Sequence, residues 1–347
     1  MKAEVNRQYG SIHDKGSTLL EKIKLGLIHS KTSSSIRKNV APNTITAASK
    51  KNYNAMDDDH IQSIWNNLTL DDLAPIDAFH TRGKKSTIEL ASLIIPHSNK
   101  PISSAHHVLD VGCGLGGTAR YLANEYGCDV VGIDLTTEYI EVGNKLTQLL
   151  QLNDKVTMME ANALELPFNN NINDTTSTPM LFDIVWTEHV QMNIEDKVQF
   201  YSEISRILQP GGYLLFHDVF LDSNAAHVKD GEKGAEDSLH YPVPWAEDGN
   251  FSHLATEEES REFLALAGLE VLQWIDKSEE SIAFFEKALQ RARLSPPPRQ
   301  QHHPRLGTHL LMGDNAITKL ENHLQNLQEK RTKIGMGIAI KPVKAKL

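Results

Sequence analysis

Residues 108–117 read Val-Leu-Asp-Val-Gly-Cys-Gly-Leu-Gly-Gly, an apolar run that breaks into closely spaced glycines. The run predicts a short strand, Val108–Val111, that opens through a tight loop into a helix, Gly117–Tyr126. In that helix Ala119, Leu122, Ala123 and Tyr126 recur at helical spacing. Gly127 ends it, as a helix C-terminal glycine should. Glycine lets the backbone turn sharply and lets a ligand approach the main chain. The first amides of the following helix offer donors to an anionic group. Past the helix, Asp134 closes a second strand, where an acid can accept both hydrogen bonds of a ribose diol. A strand, glycine loop, helix and strand in this order constrain the chain to a largely parallel sheet with helices on both faces.

The rest of the chain continues the alternation. Strands are expected at Asp129–Asp134, Val156–Glu160, Leu181–Trp186, Tyr213–Asp218, Glu270–Ile275 and about Ile334–Ile340. The last, arriving from a distant segment, is expected as an antiparallel edge. Thr136 or Thr137 caps a helix running to about Leu152, and Asn193 caps one across 194–208. Thr256 and Glu259 form a capping box. Residues 1–30 carry an N-terminal cap helix, Thr18–Ile28. Residues 31–60 read as a flexible linker or insertion, and 61–104 as a helical cap with helices at Ile61–Asn67 and Thr87–Ile95. Residues 105–347 form the ligand-binding domain, with inserted lid segments at 220–254 and 278–333. The second insert, broken at Pro296–Pro298, reads as a further cover or as a homodimer surface. Asn169–Pro179 reads as a surface insertion.

Composition narrows the function. The formal net charge of -10 disfavours nucleic-acid binding, which needs basic patches. No apolar run reaches transmembrane length, so no membrane span is expected. Only Cys113 and Cys128 are present, so neither a disulfide framework nor a zinc site is expected, and the cytoplasm is the expected compartment. No His, Cys or acidic group shows metal-ligand spacing; His106-His107 and His302-His303 read as solvated pairs, and no metal is expected.

Gly112, Gly114 and Gly117 satisfy the dinucleotide G-x-G-x-x-G pattern, which keeps an NAD(P)-dependent oxidoreductase open. Asp110, just before the first glycine, argues against it. An acid there sits badly beside a pyrophosphate and well beside the cationic aminoacyl end of S-adenosylmethionine. With Asp110 and these glycines the chain resembles the class I S-adenosylmethionine-dependent methyltransferases. Asn162-Ala163-Leu164-Glu165-Leu166-Pro167-Phe168, Phe182-Asp183-Ile184-Val185-Trp186 and Leu208-Gln209-Pro210-Gly211-Gly212-Tyr213-Leu214 stand where that family has its adenine-contacting loop, fourth strand and pre-fifth-strand turn. Asn162 departs from the family's usual Asp. The resemblance implies a Rossmann-like α/β fold with a seven-stranded, mostly parallel sheet, and S-adenosyl-L-methionine as cofactor. It implies Asp110, Gly112, Gly114, Gly116, Asp134, Leu135, Asn162, Ala163, Glu188 and Arg82 as cofactor-binding residues.

Further segments, Asp72–Gly83, Trp186–Asn193, Tyr241–Ala246 and His309–Gly313, resemble a narrower group of small-molecule methyltransferases. These are the sarcosine/dimethylglycine N-methyltransferases and the ubiquinone/menaquinone methyltransferase-like, or type 11, branch. The expected acceptor is a small amine such as sarcosine or dimethylglycine. The alternative is C-methylation of a quinone-type ring, and outside catalysis a module that only binds S-adenosylmethionine. His189 reads as a general base or a hydrogen-bonding wall residue. Trp186, Tyr241, Trp245 and Phe220 read as aromatic faces for a cationic product or as packing. Arg82 or His80 pairs with a carboxylate or holds the turn, and Asp218 points into the site or caps its loop.

Overall fold

The structure is a computed structural model that describes residues 19–24, 26–27, 65–168, 180–226, 239–294, 306–313 and 315–343. The 31–60 linker, the Asn169–Pro179 insertion, the Pro296–Pro298 break and part of the first lid lie outside the described residues. The sheet contains β1 (His107–Val111), β2 (Asp129–Asp134), β3 (Val156–Glu160), β4 (Phe182–Glu188), β5 (Leu208–Leu221), β6 (Glu270–Asp276) and β7 (Thr332–Ile340). Their order is β3-β2-β1-β4-β5-β7-β6. The strands β1 to β5 pair in parallel, and β7 runs antiparallel to both neighbours. The expected antiparallel strand is therefore present but is not an edge. It fills the slot between β5 and β6, and β6 takes the edge.

Successive strand residues face opposite layers, and this splits the apolar run of β1 between two cores. Val108, Ile184, Trp186 and Leu215 face one core, with Leu90, Ala119 and Leu122 from the helices. Leu109, Val111, Val185 and Leu214 face the other, with Phe200, Ile204 and Leu264. The longer helices are α1 (Leu70–Asp77), α2 (Lys84–Ser92), α3 (Gly117–Tyr126), α4 (Thr137–Leu149), α5 (Lys197–Ile207), α6 (Glu257–Leu266), α7 (Ser278–Leu294) and α8 (Ala316–Gln328), of which α2, α3, α5 and α6 supply these residues. Helix α5 starts later than expected. Its cap is Asp196, which accepts from Gln199 N. Asn193 instead donates to the carbonyls of Trp245 and Phe251 and so ties the β4–α5 loop to the lid. The capping box at Thr256 and Glu259 forms, and a second one at Thr69 and Asp72 starts α1.

The N-terminal cap is fastened by an interior ion pair. Arg120 on α3 is fully buried and donates to Asp77 Oδ1 on α1 at 2.6 Å. Its other terminal nitrogen donates to Leu115 O, Gly143 O and Thr147 Oγ1. One guanidinium thus joins α1, the glycine loop and α4. Helical residues Leu19, Ile23 and Leu27 pack onto the same corner, against Leu73, Ile76 and Leu146. The close approach of α1 also explains Gly117, where a Cβ would lie 2.1 Å from Asp77 O. Arg120→Ala leaves the Asp77 carboxylate buried and unpaired, so a loss of about 3–5 kcal/mol is expected from urea unfolding. Restoring an apolar pair with Asp77→Leu and Arg120→Leu together should recover most of it.

The other side of the site is closed by residues 239–254. Val243, Trp245 and Leu254 pack with Phe285 of α7, Leu327 of α8 and Ile334 of β7. His323 of α8 lies edge-on to Trp245 and Phe285, with ring centroids 5.0 and 4.7 Å away. Burial pushes its pKa down to about 3. The unfolded chain therefore binds this proton more readily than the folded one. His323 costs nothing above about pH 6.5, the unfolded value, and removes stability as pH falls from there toward its folded pKa. A His323→Phe variant should match the parent at pH 8 and unfold at a higher urea concentration than the parent at pH 5.

Candidate active site

A cavity of about 640 Å³ opens at the carboxyl ends of β1, β2 and β4, between the cap and the 239–254 segment. Ligands bind at this position in open α/β sheets because the strand order reverses there and the loops part. On one side it is lined by the glycine loop (Gly112, Cys113, Gly114), by Asp134 and Leu135 after β2, and by Asn162 and Ala163 after β3. On the other it is lined by His189, Val190 and Met192 to Glu195, and by Pro244, Trp245, Asn250, Phe251 and His253 of the lid. Ile76, Phe79 and His80 roof it from the cap.

The glycine loop is shaped by backbone need. Gly112 has φ 71°, and a Cβ on it would lie 2.3 Å from Val190 Cγ2. Gly114, with φ 54°, donates its N–H to Asp134 Oδ2 at 2.9 Å. Asp134 Oδ1 accepts from Thr136 N at 2.8 Å. Asp134 lines the cavity beside these amides.

Asp110 lines the cavity, is 3% exposed, and has one oxygen, Oδ2, without a hydrogen-bond partner among the described residues. Burial, then the nearby charges of Glu188 and Asp134, push its pKa well above the usual carboxylate range. Burial also raises Asp134. Negative charge crowded here is relieved by a cationic ligand.

Glu188 behaves oppositely. Burial works against its charge, but His80 and His217, and the indole N–H of Trp186, hold its carboxyl down at about 2. Its Oε2 accepts from Trp186 Nε1 at 3.0 Å, Thr118 Oγ1 at 3.0 Å and Thr87 Oγ1 at 3.1 Å. That oxygen is therefore engaged within the protein wall, and the other, Oε1, faces His80 and His217.

Several expectations are corrected by this geometry. Trp186 does not reach the cavity; it is fully buried among Ile184 and Leu215, and serves Glu188. Arg82 is bound to Glu89 at 2.6 Å and does not line the cavity. Gly116 faces Met158 and Arg120 behind the loop. Asp218 is buried behind the wall, where it accepts from the N–H groups of Val190, Gln191 and Val219. Burial raises its pKa to about 6. Of its two readings the loop anchor is the one the geometry supports. Tyr241 packs against the lid core and Phe220 against Trp274, both away from the cavity lining. His189 lines the cavity with φ 57° and its Nε2 accepts from Thr81 N at 3.3 Å. Burial, then the neighbouring histidines, lower its pKa well below 6.5, so it is neutral with the proton on Nδ1. A ring in that state donates to a ligand and is a poor general base.

Comparison with known proteins gives this cavity its family. Residues 109–216 match the methyltransferase domain family. A rice (Oryza sativa subsp. japonica) protein named "Probable tocopherol O-methyltransferase, chloroplastic" is 39% identical over 140 residues, 39% of this chain and 35% of its own length. The sarcosine/dimethylglycine N-methyltransferase of Halorhodospira halochloris is 27% identical over 173 residues, 48% of this chain and 56% of its own. The chain thus spans between about a third and a little over half of these relatives. Phosphoethanolamine N-methyltransferase 2 of Haemonchus contortus, solved with S-adenosyl-L-methionine, superposes with a TM-score of 0.57 at 19% identity, over 79% of this chain and 57% of that one. At that identity the likeness speaks for the fold.

The chain carries a methyltransferase domain at residues 109–216, on a fold it shares with S-adenosylmethionine-dependent methyltransferases. Its cofactor is S-adenosylmethionine, and the residues present fit it. The methionyl end carries an ammonium, and Asp110 offers a buried oxygen without a partner within a group of carboxylates. Sequence reasoning reached the methyltransferase loops but missed His217, Thr118 and the lid residues Asn250, Phe251 and His253. The signal for His217 was its place near the carboxyl end of β5. Replacing Asp110 by Asn removes a charge-assisted contact worth about 1.5–3 kcal/mol. S-adenosylhomocysteine should then bind roughly 10- to 150-fold more weakly by calorimetry, with the fold retained.

Proposed function

We propose that this cavity transfers a methyl group from S-adenosylmethionine to a small-molecule acceptor, and that the acceptor is an amine of the glycine, sarcosine or dimethylglycine type. The observation that carries the reading is the continuity of two unlike halves in one cavity. One half holds Asp110 and Asp134; the other is walled by Trp245, Phe251, His253, Asn193 and Glu195. In this reading Asp110 holds the methionyl ammonium, Asp134 the ribose diol, and Asn162 and Ala163 the adenine.

The bound cofactor would supply a methyl carbon on a sulfonium, open to the amine lone pair with the thioether sulfur leaving with the bonding electrons. The chain's task is to hold the two partners in line, and orientation of this kind is worth several kcal/mol. His189, neutral and fixed by Thr81, donates to the acceptor and orients it. An amine that enters as free base needs no residue to take a proton during transfer. The aromatic walls favour the cationic product by roughly 0.5–2 kcal/mol each. The indole N–H of Trp245 is bound to Ser252 Oγ at 3.1 Å, which fixes the ring in the wall. The lid segment excludes water.

A phenolic or quinol ring is the second reading. It is favoured by the relatives named for such acceptors, including the 2-methyl-6-phytyl-1,4-hydroquinone methyltransferase of Synechocystis sp., 34% identical over 111 residues. Apolar Ile76, Phe79, Met192 and Leu311 around the cavity suit it. No helix among the described residues is long and apolar enough to cross a membrane. Thermal unfolding separates the readings. S-adenosylhomocysteine at 100-fold over its Kd should stabilise the protein by about 2.7 kcal/mol. A further rise with sarcosine or dimethylglycine, followed by their methylation, is the expected result. A rise only with a substituted hydroquinone transfers the proposal to the ring. No response to S-adenosylhomocysteine overturns both.

A further inference from the structure

His80, Glu188 and His217 meet in the cavity wall under the cap, and their interactions do not close among themselves. Each offers one ligand atom, and these atoms lie within 4.8 Å of one another. Glu188 Oε1 is 3.4 Å from His80 Nδ1 and 3.6 Å from His217 Nδ1. Those separations are long for charge-assisted hydrogen bonds. They match the spacing of about 3.4 Å expected between ligand atoms that each lie about 2.1 Å from a tetrahedral ion.

The neighbours of His80 leave this geometry open to an ion. The Thr87 hydroxyl lies 3.1 Å from Glu188 Oε2 and 3.3 Å from His80 Nε2, so with the ring proton on Nε2 toward Thr87 the Nδ1 lone pair of His80 is available beside Glu188 Oε1. His217 is 0% exposed, and among the described residues neither of its ring nitrogens has a partner within hydrogen-bond distance. The nearby Arg82 guanidinium is paired with Glu89 at 2.6 Å.

We infer that His80, Glu188 and His217 form a binding site for a divalent transition-metal ion of the zinc type. Two imidazoles and one carboxylate are the ligand set of open, catalytic-type zinc centres, in which a fourth position is left for water or substrate. Thr87, which bonds both His80 Nε2 and Glu188 Oε2, holds two of the ligands in orientation, as outer-sphere partners of metal ligands do. His80 and Glu188 both line the cavity, so the fourth position opens toward it. It would take an oxygen ligand there, the carboxylate or hydroxyl of an acceptor. The ion site goes beyond the methyl-transfer reading and stands without it.

The test is metal titration of the chelator-treated full chain in the absence of S-adenosylmethionine. Addition of Co2+ should give one equivalent of visible d–d absorption of a four-coordinate ion, displaced by Zn2+. His217→Gln should weaken Zn2+ binding at least about 100-fold, while far-UV circular dichroism and a cooperative thermal transition stay as in the parent. If His217→Gln does not fold, His80→Gln serves as the second ligand variant with the same expectation. A spectrum that remains that of hexaaqua Co2+ overturns the site, as does a folded ligand variant that binds Zn2+ as tightly as the parent. Failure here leaves S-adenosylhomocysteine binding untouched, so the two proposals fall separately.

Discussion

The site depends on the buried guanidinium of Arg120. The glycine loop has only its own backbone to hold it, and a cavity for a charged ligand needs that backbone in place beforehand. Arg120 supplies the fixing from behind, through Leu115 O in the loop and Gly143 O and Thr147 Oγ1 in α4. Through Asp77 it also brings α1, and with it Phe79 and His80, over the cavity mouth. An interior ion pair contributes less to stability than an apolar pair of the same shape would. Here it couples the roof of the site to its floor, which an apolar pair would do with less directional control.

Charge divides the cavity wall into parts with distinct tasks. Asp110 has an oxygen without a donor, and burial pushes both Asp110 and Asp134 toward protonation, so a cation gains most beside them. Glu188, a short distance away, is surrounded by donors and remains ionised. The difference lies in the neighbours rather than in residue type. Thr87, Thr118 and Trp186 all direct protons at one Glu188 oxygen, while Asp110 Oδ2 receives none.

Much of this was legible in the sequence, where the requirement is local. Gly112 and Gly114 announce positive φ, and Asp134 announces itself by its place at a strand end. Corrections came where a competitor in space decides a side chain's partner. Arg82 looked available for a carboxylate until Glu89, one α2 face away, captured it. Trp186 has the same strand parity as Ile184 and so joins the core, and its N–H can only serve Glu188, two residues on. Asp218 follows His217 on β5 and lies behind the wall, where two amides of the neighbouring loop and that of Val219 surround it. The meeting of His80, Glu188 and His217 has no sequence spacing at all. It depends on the parallel pairing of β4 with β5, which sets Glu188 beside His217 in register.

The place of β7 inside the sheet has a consequence for the order in which the chain can assemble. Strand β6 is joined to the sheet through β7, which pairs with β5 across a long separation in sequence, Tyr213 opposite Ile340. During synthesis the strands β1 to β5 can pair as they emerge, since each finds its neighbour already made. Strand β6 cannot, and it waits with an open edge until residues 332–340 arrive. The lid core waits with it, because Ile334 of β7 is one of its members. The half of the cavity that grips the cofactor is thus free to form early, while the half that meets the acceptor is completed last. Late, long-range pairing of this kind slows folding and leaves an intermediate with exposed strand edges.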